Sequence, residues 1–371
     1  MSYQPTEEAC LAWLAEAYVP AESLKAALEA WKSGSAVLDA VRRQDEAAAE
    51  TIPESALKRL QRNDGEERFR KYETLIREHG IRVMTSIDSA FPQVLTQIRD
   101  PASILFYQGN PECLKSPVIG MFGSRAASWT GRRAARRVAR ELSGRGIRIA
   151  SGFAYGIDTE AHTGCVEGGS PTIAVMGGGL DQLYPRENEP LKKQLLDGGG
   201  VMISEYAPGM RSIGRHFPYR NRITSAISDG LVLIEAKIRS GSMTTVAHAL
   251  DQGKELFVFP GEPDSPLFEG NHILLREGAR IFLTAEDILD DMGWLDNPAQ
   301  DVQNNVCSVS GQAENETERR ILGVLERGPA GFEQIAALTG IPAQDLLGAL
   351  TMMQIRGTLE ALPGKKYQIR R

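Results

Sequence analysis

From about Pro117 onward, short apolar runs ending in glycine or a small polar residue alternate with helical stretches, and few folds accommodate that pattern. Residues 118–123, 147–152, 172–177, 201–205, 231–235, 256–259 and 280–283 read as strands. Between the earlier ones, residues 129–142, 157–166 and a stretch near 188–196 carry helical periodicity. Continuous apolar strands separated by helices predict a parallel sheet covered on both faces. The fold class is therefore α/β, doubly wound, over residues 81–294.

The flanks have a different texture. Residues 1–80 are rich in Ala, Leu and Glu, with apolar positions at helical spacing: Leu11, Leu14 and Val19, then Leu24, Ala27, Leu28 and Trp31. Thr6-Glu7-Glu8 signals a helix start and Ser33-Gly34 a helix stop. This reads as an N-terminal helical domain of the SAM or helix-hairpin-helix kind, a structural appendage or interaction module. Residues 295–316 are polar and aperiodic, which predicts a linker. Residues 317–371 then read as three short helices and a hairpin turning at Pro363-Gly364, the layout of a winged-helix domain. Its second-to-last element, from Ala343 to Gly348, has almost no positive charge, which favours an interaction module over a reader of DNA.

The net charge of −6 argues against a dedicated nucleic-acid protein until its distribution is considered. Residues 120–225 hold 15 Lys+Arg against 9 Asp+Glu, an excess of six positive charges inside an acidic chain. A local patch sets the local potential. No run approaches the roughly 18 apolar residues of a membrane span, and the acidic N-terminus lacks a signal pattern. The four cysteines are scattered without a C-x-x-C pair, so the expectation is a cytoplasmic protein with free thiols, no metal and no cofactor.

Chemistry gathers at the strand ends. In open α/β sheets ligands bind there, where helix N-termini offer unpaired amides to anions. The first strand runs into Gly123-Ser124-Arg125, and the second into Ser151-Gly152, with Gly156, Asp158 and His162 beyond. His162 near Cys165 lacks a third ligand and reads as a hydrogen-bonded structural histidine. The third strand runs into Gly177-Gly178-Gly179, a weak signal alone. The densest cluster is His216-Phe217-Pro218-Tyr219-Arg220-Asn221-Arg222, preceded by Arg215. Arginines supply forked donors for phosphate and aromatic rings supply faces for bases. Ser240, Gly241 and Thr244 form a second phosphate cradle at the start of a later helix. A P-loop, a G-x-S-x-G elbow and an H-E-x-x-H pair are all absent from the sequence, which fits binding without turnover.

These motifs, together with Tyr184-Pro185, Ser204-Glu205-Tyr206, Glu235 and Pro260-Gly261, occur in an order and spacing that resembles the DNA-processing protein A family, also called Smf. The resemblance covers about residues 117–292. It implies an extended Rossmann-like domain that binds single-stranded DNA and is not an enzyme. It also implies a homodimer that protects incoming DNA and loads the recombinase RecA onto it during natural transformation. By motif it places Ser124 and Arg125 at a backbone-binding loop and Phe217, Arg220 and Arg222 at a strand-holding loop, with Arg215 as an extra phosphate contact. Gly123, Ser151, Gly152, Asn221, Ser240, Gly241 and Thr244, read from the strand ends, complete the expected DNA-binding set. Tyr219 is a second candidate for base stacking. The rival readings are a nucleotide phosphoribohydrolase and a small-nucleotide sensor. The first is disfavoured because Val246-Ala247-His248-Ala249 carries no acid where that family places its glutamates.

Overall fold

A computed structural model describes residues 3–115, 117–295, 316–325, 330–355, 359–362 and 366–369. The chain divides into two compact units, Met1–Gln300 and Asp301–Arg371.

The first unit opens with six helices: α1 (Glu7–Glu16), α2 (Ala21–Trp31), α3 (Gly34–Arg42), α4 (Glu46–Thr51), α5 (Glu54–Arg62) and α6 (Glu66–Glu78). Thr6 caps α1 by accepting from the Ala9 amide, satisfying one of the helix's orphan donors. Ser33-Gly34 separates helices as expected, but it begins α3: Lys32 ends α2 in the left-handed region, and the Ser33 hydroxyl accepts from the Ala36 amide. The apolar faces converge on Trp13, Leu14, Leu28, Leu38 and Phe69, all buried. That core continues into the sheet through Ile104, Phe106, Met202 and Phe153.

The sheet has nine strands: β1 (Arg82–Thr85), β2 (Ile104–Gly109), β3 (Val118–Phe122), β4 (Arg148–Ser151), β5 (Thr172–Val175), β6 (Val201–Ser204), β7 (Gly230–Leu233), β8 (Glu255–Val258) and β9 (Arg280–Ile281). Their order is β1-β2-β6-β5-β4-β3-β7-β8-β9. The seven strands from β3 onward are parallel, but β2 pairs antiparallel with both β1 and β6, so the sheet is mixed rather than purely parallel. Between the strands lie α7 (Trp129–Ser143), α8 (Ile157–Gly168), α9 (Glu189–Asp197), α10 (His216–Ala226), α11 (Ser242–Asp251) and α12 (Glu269–Arg276); α13 (Ala285–Asp291) follows β9. The two-residue period of the strands sorts side chains between the faces. Ile119, Met121, Ile149 and Ile234 pack with α7, α8 and α13. On the other face, Val118, Ala150 and Ile173 pack with α10, and Leu231 and Leu233 with α11 and α12. Fully burying such a side chain stabilises by about 1.5–3 kcal/mol.

The second unit contains α14 (Glu316–Leu325), β10 (Ala330–Gly331), α15 (Phe332–Thr339), α16 (Ala343–Ile355), β11 (Leu359–Leu362) and β12 (Lys366–Ile369), with an antiparallel sheet ordered β10-β12-β11. Ile321, Leu322, Ile335, Leu346, Leu350 and Met353 form its core, giving a winged-helix domain. Nearly all of the expected linker and the Pro363-Gly364 turn lie outside the described residues. Among the described residues no helix is long and apolar enough to cross a membrane.

Candidate nucleic-acid interface

Strand order runs outward from β3 through β4, β5 and β6 on one side, and from β7 through β8 and β9 on the other. The loops after β3 and β7 therefore diverge, leaving a crevice at the carboxyl ends of these two strands. A cavity of about 560 Å³ occupies that place. Ten of the thirteen residues assigned from sequence line it: Gly123, Ser124, Arg125, Gly152, Phe217, Arg220, Asn221, Ser240, Gly241 and Thr244.

The walls are tied together at the backbone. The Ser124 amide donates to the Glu235 carbonyl (2.8 Å). The Glu235 carboxylate, wholly buried, accepts from the Ser128 amide (3.0 Å) and hydroxyl (2.5 Å), which closes the N-terminus of α7. Gly156 has φ of +76°, and a Cβ there would lie 2.3 Å from the Ser124 carbonyl oxygen. Only glycine lets the loops after β3 and β4 pass so closely.

Arg220 forms the floor. It is 3% exposed, and its Nη1 donates to the Gly152 carbonyl (2.7 Å) while Nε donates to Asn221 Oδ1 (3.0 Å). A Cβ on Gly152 would sit 2.1 Å from the guanidinium, so the missing side chain is what admits the arginine. Burial pushes the Arg220 pKa down to about 10, with Asp158 opposing, and the group stays charged at neutral pH. Burial raises Asp158 from the ordinary carboxylate range, while Arg220 and the Ala154 amide pull it back. Beneath them His162 is fully buried, its Nδ1 2.8 Å from the Thr172 hydroxyl; burial, then the Arg220 charge, pushes its pKa down to about 3. It is a neutral structural histidine. Among the described residues no group of three His, Cys, Asp or Glu side chains could hold a metal, and Cys10, Cys113 and Cys165 are free and buried.

At the mouth the exposed Arg125 guanidinium lies 4.5 Å from the centroid of Phe217, a cation–π contact that leaves donors for a ligand. Lys237, exposed on the opposite loop, adds a positive charge that the sequence reading missed, although its place just after Glu235 at a strand end was a usable signal. Ser240, Gly241 and Ser242 bring the N-terminus of α11 into the wall, and Asn221 donates to Thr244 across the α10–α11 junction (3.4 Å).

Three assigned residues lie elsewhere. Ser151 is completely buried and its hydroxyl donates to the Met121 carbonyl (2.6 Å), tying β4 to β3. Arg222 is 1% exposed; it makes a two-pronged ion pair with Glu205 (2.6 and 2.7 Å), donates to the Asp100 carbonyl and lies 4.0 Å from the Tyr219 ring centroid. Its charge is spent inside the protein. Arg215 is exposed but lines a separate cavity of about 470 Å³ on the other side of α10, together with Tyr18, Glu205 and Tyr219. Tyr219 therefore does not face the cleft. Residues two apart on a helix point about 200° apart at 3.6 residues per turn, so Arg220 and Arg222 cannot share a side.

The model of the family described as DNA recombination-mediator protein A matches residues 82–293, and that of the DprA winged helix domain matches residues 309–365. The chain belongs to the DNA recombination-mediator protein A family. Protein Smf of Escherichia coli is 34% identical over 290 residues, covering 76% of each chain. The DNA processing protein DprA of Streptococcus pneumoniae is 39% identical over 203 residues, 55% of this chain and 71% of that one. Its X-ray structure superposes with a TM-score of 0.65 at 30% identity, over 77% of this chain and 98% of that one. DNA processing protein A from Helicobacter pylori, studied for its single-stranded DNA binding mode, matches with a TM-score of 0.51 at 27% identity, over 57% of this chain and 95% of that one. The family's matched region thus contains the whole switch-point cleft.

Proposed function

We propose that this protein acts in DNA processing by holding single-stranded DNA in the switch-point cleft. The observation that carries the reading is the mouth itself: Arg125 over the Phe217 ring, Lys237 opposite, and the buried charge of Arg220 below. The arginines and lysine attract phosphate, and an aromatic face accepts any unstacked base. A duplex presents its bases already stacked. The Helicobacter pylori relative, described by its single-stranded DNA binding mode, supports carrying that ligand class to this chain.

The finer reading is that the protein protects incoming strands in the cytoplasm and, as a homodimer, loads RecA onto them during natural transformation. Membership of a family named for recombination mediation supports this. Turnover is not part of the reading. The nearest acids are already committed: Glu235 caps α7, and Asp158 lies buried between the Ala154 amide and Arg220.

The deciding experiment is fluorescence anisotropy with labelled oligo-dT, comparing the native protein with a Phe217→Ala variant. Tight binding that outcompetes duplex and weakens by about 1–3 kcal/mol in the variant is expected. Thermal stabilisation by mononucleotides with no binding of oligonucleotides would overturn the reading in favour of a small-nucleotide pocket.

A further inference from the structure

The aromatic surface continues past the cleft. The Phe217 ring, at the cleft wall, lies 5.8 Å from that of Tyr184, which lies 6.0 Å from that of Tyr155. The two tyrosines lie outside the cleft lining and are 43% and 38% exposed. The three rings come from three segments: the start of α10, the loop after β5 and the loop after β4. Rings drawn from separate segments usually meet inside a core, where burial rewards the contact. Here they meet in a row open to solvent.

We propose that Phe217, Tyr184 and Tyr155 form one stacking track along which a single strand leaves the cleft. The proposal rests on the cleft reading above. Neighbouring rings are tilted by 53° and 82°, and with centroids about 6 Å apart no base fits between them. Successive bases therefore lie on the outward faces, each ring serving one base without regard to its identity.

Charge sets the orientation of the strand on the track. Arg125 stands at the Phe217 end, and the exposed Arg186 follows Tyr184 in the chain by two residues. At the far end the Tyr155 hydroxyl donates to Glu187 (2.7 Å), which holds that carboxyl below its usual range and keeps it ionised. A carboxylate there repels phosphate. The strand meets Tyr155 with its bases, and its phosphates turn to solvent.

The track gives binding a length dependence that the cleft alone lacks. Anisotropy would compare oligo-dT of about 4 and about 16 nucleotides, the span of common single-strand sites, on Tyr184→Ala, Tyr155→Ala and Phe217→Ala variants. Tyr184→Ala weakens the long strand at least about fivefold and the short strand less than twofold, since the short one occupies only the cleft. Tyr155→Ala acts in the same direction, Tyr184→Phe retains the native affinity, and Glu187→Gln tightens the long strand. Unchanged affinity at both lengths in Tyr184→Ala and Tyr155→Ala, beside a loss in Phe217→Ala, overturns the track and leaves the cleft standing. If Phe217→Ala also changes nothing, the cleft reading itself fails. Thermal melting of each variant separates lost contacts from lost fold.

Discussion

The two sides of α10 hold arginines two residues apart and treat them in opposite ways. On one side Arg222 is neutralised by Glu205 and enclosed by main-chain carbonyls. On the other, Arg220 is almost as buried; its Nη1 donates to a carbonyl, and the neighbouring buried Asp158 makes no two-pronged pair with it. One arginine locks α10 to its surroundings, and the other lines the floor of an open cavity. Burial alone does not separate a charge enclosed by the fold from one that faces a cavity; the partner does.

The sharpest way to break the comparison is to remove the acid from the locking side. Glu205→Ala leaves the buried Arg222 charge without its carboxylate and should destabilise the fold by on the order of 3–5 kcal/mol. Urea unfolding would read this, and a loss under about 1 kcal/mol would mean that the pair is not the lock described here.

On the cleft side the next largest effect is a pH dependence. His162 is held neutral below Arg220, with its pKa pushed from 6.5 to about 3. Its folded pKa lies below the unfolded one, so its contribution is fully present above pH 6.5 and is lost as pH falls toward 3. Moving from pH 7 to pH 5 should cost about 2 kcal/mol from this group. The check is the urea midpoint at both pH values together with an NMR titration of the ring. A ring that protonates near pH 6.5 in the folded protein would refute it.

The smallest effect compares two exposed arginines on opposite sides of the helix. Arg125→Ala should lower the log–log salt slope of oligo-dT binding by about 0.7, the value for one phosphate on a single strand. Arg215→Ala, whose side chain faces the other cavity, should leave the slope unchanged. Equal changes in both variants would show that the strand crosses α10 rather than keeping to one side of it.

These contrasts mark what the sequence could and could not disclose. The parallel strands from β3 to β9 were legible because each is an apolar run followed by a loop and a helix. β1 and β2 were not, since they stand outside that alternation and attach antiparallel at the edge. The Gly, Ser and Arg residues at the strand ends were found because glycine there is demanded by close approach, as at Gly152 and Gly156. Helical periodicity already sets Arg222 against Arg220, so the sequence alone could have placed the two on different sides of α10. The tyrosines at 155 and 184 could not have been joined to Phe217 in advance, because their adjacency depends on two loops and the start of α10 meeting in space.

The clasp between Ser124, Ser128 and Glu235 bears on the cost of binding. Main-chain and carboxylate bonds join the loops after β3 and β7, so the Ser124 and Glu235 sides of the cavity are held to one another. For the proposed strand binding, that part of the wall needs no ordering when the ligand arrives, which lowers the cost of binding there.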